Sequence, residues 1–175
     1  DIPTKQAAAA VGQCELMYTY DKLFSEYNRT VAQLLLTGAD FSHEDRRKNF
    51  ENTVYRLIEF GVIPILNEND TVATEEIVIG DNDTLGAVVA TAVHADLLIL
   101  LSDIDGLFTA DPHKEANAKM LTVVEEITDE IIAMTGGAGS SLGTGGMHTK
   151  IHADQKTKEN GVDMGAMEQI SILDP

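Results

Sequence analysis

A chain of 175 residues with 43% hydrophobic and 23% charged residues has the size of one folded domain, one that buries roughly 70% of the surface its unfolded form exposes. Its net charge of −17, from 29 acids against 12 Lys and Arg, repels polyanions and excludes nucleic acid as a partner. The longest apolar run, around Leu97 to Leu101, is far short of the ~20 residues that span a bilayer, and the single cysteine, Cys14, excludes an internal disulfide; membrane is excluded and the cytoplasm is expected.

Apolar residues at near-helical spacing (Ala8, Val11, Leu16, Met17, Tyr20, Leu23, Phe24) predict a helix over 5–27, with Gly12 as its weak point. The run 31–36 reads as a buried strand ended by Gly38 and Asp40. Ser42 is placed to cap a second helix, with Asp45 three residues on and Phe50, Val54, Leu57 and Ile58 as its apolar stripe up to Gly61. There follow a strand over 62–66, a loop, a helix over 84–94 and a strand over 96–101. Beyond Asp103 come a turn-rich stretch to Pro112, an acidic helical segment over 125–134, a glycine-serine loop over 136–146 and a polar helix over 147–160. A strand begins near Val162 and is expected to stop at Gly165. Strands alternating with helices imply a parallel α/β sheet, whose ligands sit beyond the carboxyl ends of its strands.

Three polar segments stand at such ends. Asn67-Glu68-Asn69-Asp70 follows a strand and could bind an ammonium, although Asn- and Asp-rich turns commonly serve only the backbone. Gly80-Asp81-Asn82-Asp83 opens a helix, where Asp83 is either the N-cap or an acid free to orient lysines or hold magnesium through water. Thr144-Gly145-Gly146-Met147-His148-Thr149-Lys150 feeds a helix start, where N–H groups and the macrodipole favour an anion. Lys150 is unfavourable in the first turn of an empty helix, and a bound phosphate would reverse that sign. His148 and His152 lack a third ligand and read as surface residues, so no metal site is expected.

These segments, with Lys5-Gln6-Ala7-Ala8-Ala9-Ala10-Val11-Gly12-Gln13 and Leu100-Leu101-Ser102-Asp103, resemble the γ-glutamyl kinases of the amino acid kinase family over nearly the whole chain. The resemblance implies a three-layer αβα sandwich with a mainly parallel central sheet, a single domain over 1–175, and ATP-dependent phosphorylation of the side-chain carboxylate of L-glutamate in proline synthesis. It assigns Asn67, Asp70 and Asn82 to glutamate, with Asp70 on its ammonium. Ser102, Asp103, Thr144, Gly145, Gly146, Met147, His148, Thr149 and Lys150 fall to the nucleotide, and Lys150 and Asp83 also to catalysis, Asp83 organising the lysines. ATP with Mg²⁺ is the implied co-substrate, with proline as a feedback inhibitor and self-association as family traits. The family also has a first strand and glycine-rich turn carrying a phosphate-binding lysine, which Lys5 is not, and a longer strand after Val162; the natural polypeptide is expected to hold both outside this sequence.

Two other readings compete. A binding module without turnover would keep the same ligands. The run from Leu98 to Thr109 also resembles the first motif of haloacid-dehalogenase-type phosphatases, with Asp103 as nucleophile and Asp105 as general acid, though Leu107 stands where that motif has threonine. Asp103→Asn separates the chemistries: the kinase resemblance predicts weaker ATP binding with turnover retained, whereas loss of nearly all phosphate-ester hydrolysis would establish the phosphatase.

Overall fold

The computed structural model describes residues 2–73, 79–102, 107–109, 115–121, 124, 127–134 and 147–168, which fall into two units, 1–79 and 80–175. In the first unit α1 (Ile2–Ser25) runs unbroken through Gly12. A glycine inside a helix costs about 1 kcal/mol relative to alanine, and the alanines at 7–10 just before it favour helix most strongly. Parallel strands β1 (Val31–Leu36) and β2 (Ile63–Glu68) pair in register from Val31↔Ile63 to Leu36↔Glu68. Short α2 (Gly38–Ser42) and longer α3 (Glu44–Glu59) connect them.

The expected N-cap at Ser42 is not what forms. The Asp40 carboxylate accepts hydrogen bonds from the Thr37 N–H (2.7 Å) and hydroxyl (2.8 Å), which nucleates α2 and leaves Ser42 in its last turn, donating to the Gly38 carbonyl. His43, in extended conformation, then becomes the residue that opens α3. Arg46 Nη1 closes on the other Asp40 oxygen at 3.2 Å. The inward face of α3 buries Phe50 and Val54, with Phe41 edge-on to Phe50.

The second unit contains, in order, α4 (Asn82–Ala92), β3 (Leu97–Ser102), β4 (Leu107–Phe108), β5 (Met120–Leu121), α5 (Asp129–Met134), α6 (Met147–Lys158) and β6 (Asp163–Glu168). β3 and β6 are parallel, Leu97↔Asp163 to Ser102↔Glu168, so β6 continues through Gly165 where the sequence predicted an end. A full set of backbone partners in β3 outweighs the weak strand preference of one glycine. β4 and β5 pair antiparallel and are too short to leave a periodic signal. Among the described residues of the acidic segment, α5 runs from Asp129, with the Thr128 carbonyl taking the Ile132 N–H. The loop over 136–146 lies outside the described residues.

Each unit thus sets helices on a parallel strand pair, the α/β class expected. Helices close in one recurrent way: Val62 N–H returns to the Leu57 carbonyl around Gly61 (φ 70°), and Val162 N–H to Thr157 around Gly161 (φ 73°). Asn28 (φ 53°) and His94 (φ 49°) fill the same left-handed position after α1 and α4. A strand starts within a few residues of each closure.

The core of the second unit is built on small residues. Ala87 of α4 and Ala153 of α6 are fully buried with Leu100, and Leu98 and Met164 pack around them. Methyl groups at these positions let both helices approach the sheet closely, and a Cβ added at Gly86 would meet Leu98 Cδ1 at 3.4 Å. Leu97, Ile99 and Leu101 alternate onto the other face of β3, where they are exposed. Ala153→Leu is expected to destabilise the protein by about 1–3 kcal/mol through overpacking, read as a lower urea midpoint. His152→Gln, on the exposed neighbour, should stay within about 0.5 kcal/mol of the parent.

Candidate functional site

In the first unit β2 extends past Leu66, so Asn67 and Glu68 are strand residues rather than loop residues. Pairing with β1 continues as far as Leu36, and polar side chains do not interrupt a backbone ladder. Most of the polar run is engaged in building its own turn. Asn67 Oδ1 accepts the Glu68 N–H, and its Nδ2 donates to Gln13 Oε1 of α1, both at 2.9 Å. Glu68 Oε1 accepts the Ile79 N–H at 2.8 Å. The Asn69 carbonyl receives the Val72 and Ala73 N–H groups, and its side chain takes the Thr71 hydroxyl.

Asp70 is left with its side chain toward solvent. Partial burial pushes its carboxyl above the ordinary aspartate range, and the Glu68 charge adds to the effect. Gln13 belongs to this neighbourhood and was not foreseen; its Nε2 is buried with no hydrogen-bond partner among the described residues. The only sequence hint was its place in the N-terminal segment that carries the family resemblance. A cleft of about 350 Å³ at the carboxyl end of β1, lined partly by Asp40, Arg46, Asn49 and Thr53, was likewise not foreseen.

In the second unit the N-cap of α4 is Asp81, not Asp83. Asp81 is extended (φ −155°, ψ 156°) and its two carboxylate oxygens accept the Thr84 N–H and hydroxyl, each at 2.8 Å. Asp83, inside the first turn, is thereby released from capping. Its Oδ2 accepts the Thr149 hydroxyl at 2.8 Å and the Lys150 ammonium at 3.0 Å, both from the start of α6. Asp83 and Lys150 side chains are each only 16% exposed.

This pair resolves the awkward sign of a lysine in a helix's first turn: the Asp83 charge compensates it with no phosphate required. Partly buried and hydrogen-bonded, the pair is costly to break from one side, because the survivor keeps its desolvation penalty. The second unit therefore brings Asp83, Thr149 and Lys150 together, with Asn82 exposed beside them, and the first unit holds Asn67 and Asp70. Asp103, Asp105, Thr144, Gly145 and Gly146 lie outside the described residues, as do the side chains of Ser102, Met147 and His148. His152 is exposed, and no group of three or more metal-ligating side chains forms among the described residues.

A parallel α/β unit with an aspartate–lysine pair at the N-termini of two adjacent helices is a framework for handling anionic groups. Residues 1–164 match the amino acid kinase family, and the chain belongs to that family. It is 55% identical over 163 residues to the glutamate 5-kinase of Clostridium acetobutylicum, covering 93% of this chain and 61% of that protein. To the glutamate 5-kinase of Carboxydothermus hydrogenoformans it is 55% identical over 164 residues, 94% of this chain and 44% of that one. The corresponding protein of Myxococcus xanthus is 46% identical over 162 residues. The chain spans roughly half the length of the curated relatives it matches.

Asp154 is raised like Asp70, by burial, with the Lys158 charge opposing. Both carboxyls hold a proton more tightly in the folded state than unfolded, so their contribution to stability is full below the unfolded carboxylate pKa and is lost as pH rises through the folded values. Carbonyl-carbon NMR should place the Asp70 midpoint above that of a free aspartate, and Glu68→Gln should lower it part of the way. A midpoint at the free value would contradict the geometry.

Proposed function

We propose that the protein transfers the γ-phosphoryl group of ATP to the side-chain carboxylate of L-glutamate, giving γ-glutamyl phosphate, the first step of proline biosynthesis. The observation that carries this reading is the Asp83–Lys150 pair, with the names of the relatives indicating the substrate. A carboxylate oxygen of glutamate attacks the γ-phosphorus in line, the bond to the β–γ bridging oxygen breaks, and ADP departs with the electron pair. The γ-carboxylate is ionised at neutral pH, so no general base is needed. What the protein supplies is alignment and positive charge against the equatorial oxygens.

Lys150 is the catalytic residue in this scheme, and Asp83 aims it. Asp70 receives the substrate ammonium, whose charge would offset what raises its carboxyl. Asn67, with one of its two amide N–H groups committed to Gln13, and Asn82 provide the remaining polar contacts to glutamate. Ser102, Asp103 and residues 144–150 serve the nucleotide. Magnesium enters as the counter-ion of the phosphates, which that ion prefers to an all-protein cage. Regulation by proline and self-association rest on the family resemblance. A cytoplasmic setting fits the substrates, and no helix among the described residues is long and apolar enough to cross a membrane.

The test is acyl-phosphate formation by the full natural polypeptide, trapped with hydroxylamine, with L-glutamate and L-aspartate compared. Signal from glutamate alone is expected; none with saturating Mg-ATP would overturn the reading in favour of a binding module. Lys150→Ala should lower turnover by about 10²-fold or more with glutamate affinity changed far less. Unchanged turnover would remove Lys150 from catalysis.

A further inference from the structure

Thr149 was assigned by resemblance to the nucleotide, yet its hydroxyl is engaged by Asp83. A threonine hydroxyl has a single proton to donate, and here that proton goes to Asp83 Oδ2 at 2.8 Å, the same oxygen that Lys150 Nζ approaches at 3.0 Å. Consecutive helix residues diverge by about 100° around the axis. For both to meet one oxygen, the carboxylate must lie across the start of α6. The two contacts differ in stiffness. Threonine is β-branched and short, so its hydroxyl stays close to the helix backbone and fixes where the oxygen sits. Lysine has a long flexible stem and would not hold that position alone.

We propose that Thr149 is a positioning residue that clamps the Asp83 carboxylate to the first turn of α6, so that Lys150 is held at one place with its other ammonium protons left for the transferring phosphoryl group. The inference rests on the kinase reading above, and goes beyond it by taking the Thr149 hydroxyl, though not its backbone N–H, out of direct nucleotide contact. A hydroxyl that donates to a phosphate must leave Asp83, so the two roles exclude each other and have different kinetic signatures.

The experiment compares Thr149→Val, Thr149→Ser, Asp83→Asn and the Thr149→Val/Asp83→Asn double variant of the full polypeptide in the hydroxylamine assay. Valine keeps the shape and removes the donor; kcat should fall about tenfold, with KM for ATP and glutamate within about twofold. Serine should restore most of the loss. In the Asp83→Asn background the valine substitution should cost less than about twofold, since neighbours acting through one group are not additive. An unchanged kcat, a rise in the ATP KM as large as the fall in kcat, or full additivity with Asp83→Asn would overturn the assignment.

A second readout needs no turnover. The rate at which Lys150 is acetylated by an amine-reactive ester, followed by mass spectrometry, should rise severalfold in Thr149→Val but not in Thr149→Ser, with Lys156 as an internal reference for unfolding. Equal Lys150 rates in the parent and the valine variant would overturn the clamp even if the parent made no acyl phosphate. Absence of product from the parent with the labelling difference intact would instead overturn the kinase reading alone.

Discussion

Two opposite charges held 3.0 Å apart at the starts of α4 and α6 set the terms for the second unit. Such a pair is tolerable in a partly dry place only if the two helix starts lie close enough for carboxylate and ammonium to meet. The small side chains at Ala87 and Ala153 permit that approach, and the parallel pair β3–β6 supplies the floor on which both helices lie. Asp81 completes the arrangement by capping α4 itself, which leaves the acid two residues later with no local duty.

The first unit shows the same economy in a different material. A run of four polar residues at the end of β2 has the look of a ligand site, but local structure claims most of it: the Asn67 side chain ties β2 to Gln13 of α1, Glu68 receives the Ile79 N–H, and Asn69 makes the turn. Asp70 is the member of the run with no part in that construction, and burial together with a neighbouring carboxylate raises its carboxyl. Polar residues at strand ends divide in this way between turn construction and recognition.

Much of this was legible in the sequence, and the boundary of legibility has a physical cause. Apolar periodicity and helix–strand alternation are local, and they placed α1, β1, α3, α4, β3 and α6 within a few residues. The errors fall where a choice among similar polar residues is settled by something distant or by competition. Asp81 and Asp83 are equally plausible caps in isolation; Asp83 is drawn away by groups 66 and 67 residues further on. Gln13 could not be joined to Asn67 across 54 residues by any local rule. Ser42 lost its capping role to a nearer contest, since Thr37 and Asp40 started a helix first. β2 and β6 outran their predicted ends because pairing, not side-chain character, decides how far a strand goes.

Gly86 carries a quieter consequence. It lies three residues beyond Asp83 on α4, and only an alanine-sized side chain would fit before Leu98 is reached. Little space separates helix and sheet at that point, and a bulkier residue must push Leu98 aside or shift the start of α4. Because Asp83 rides on that turn, steric pressure from beneath the helix would be transmitted to a carboxylate that no substituted atom touches. Position 86 would then register in an assay as a defect of chemistry while being, in cause, a matter of thickness.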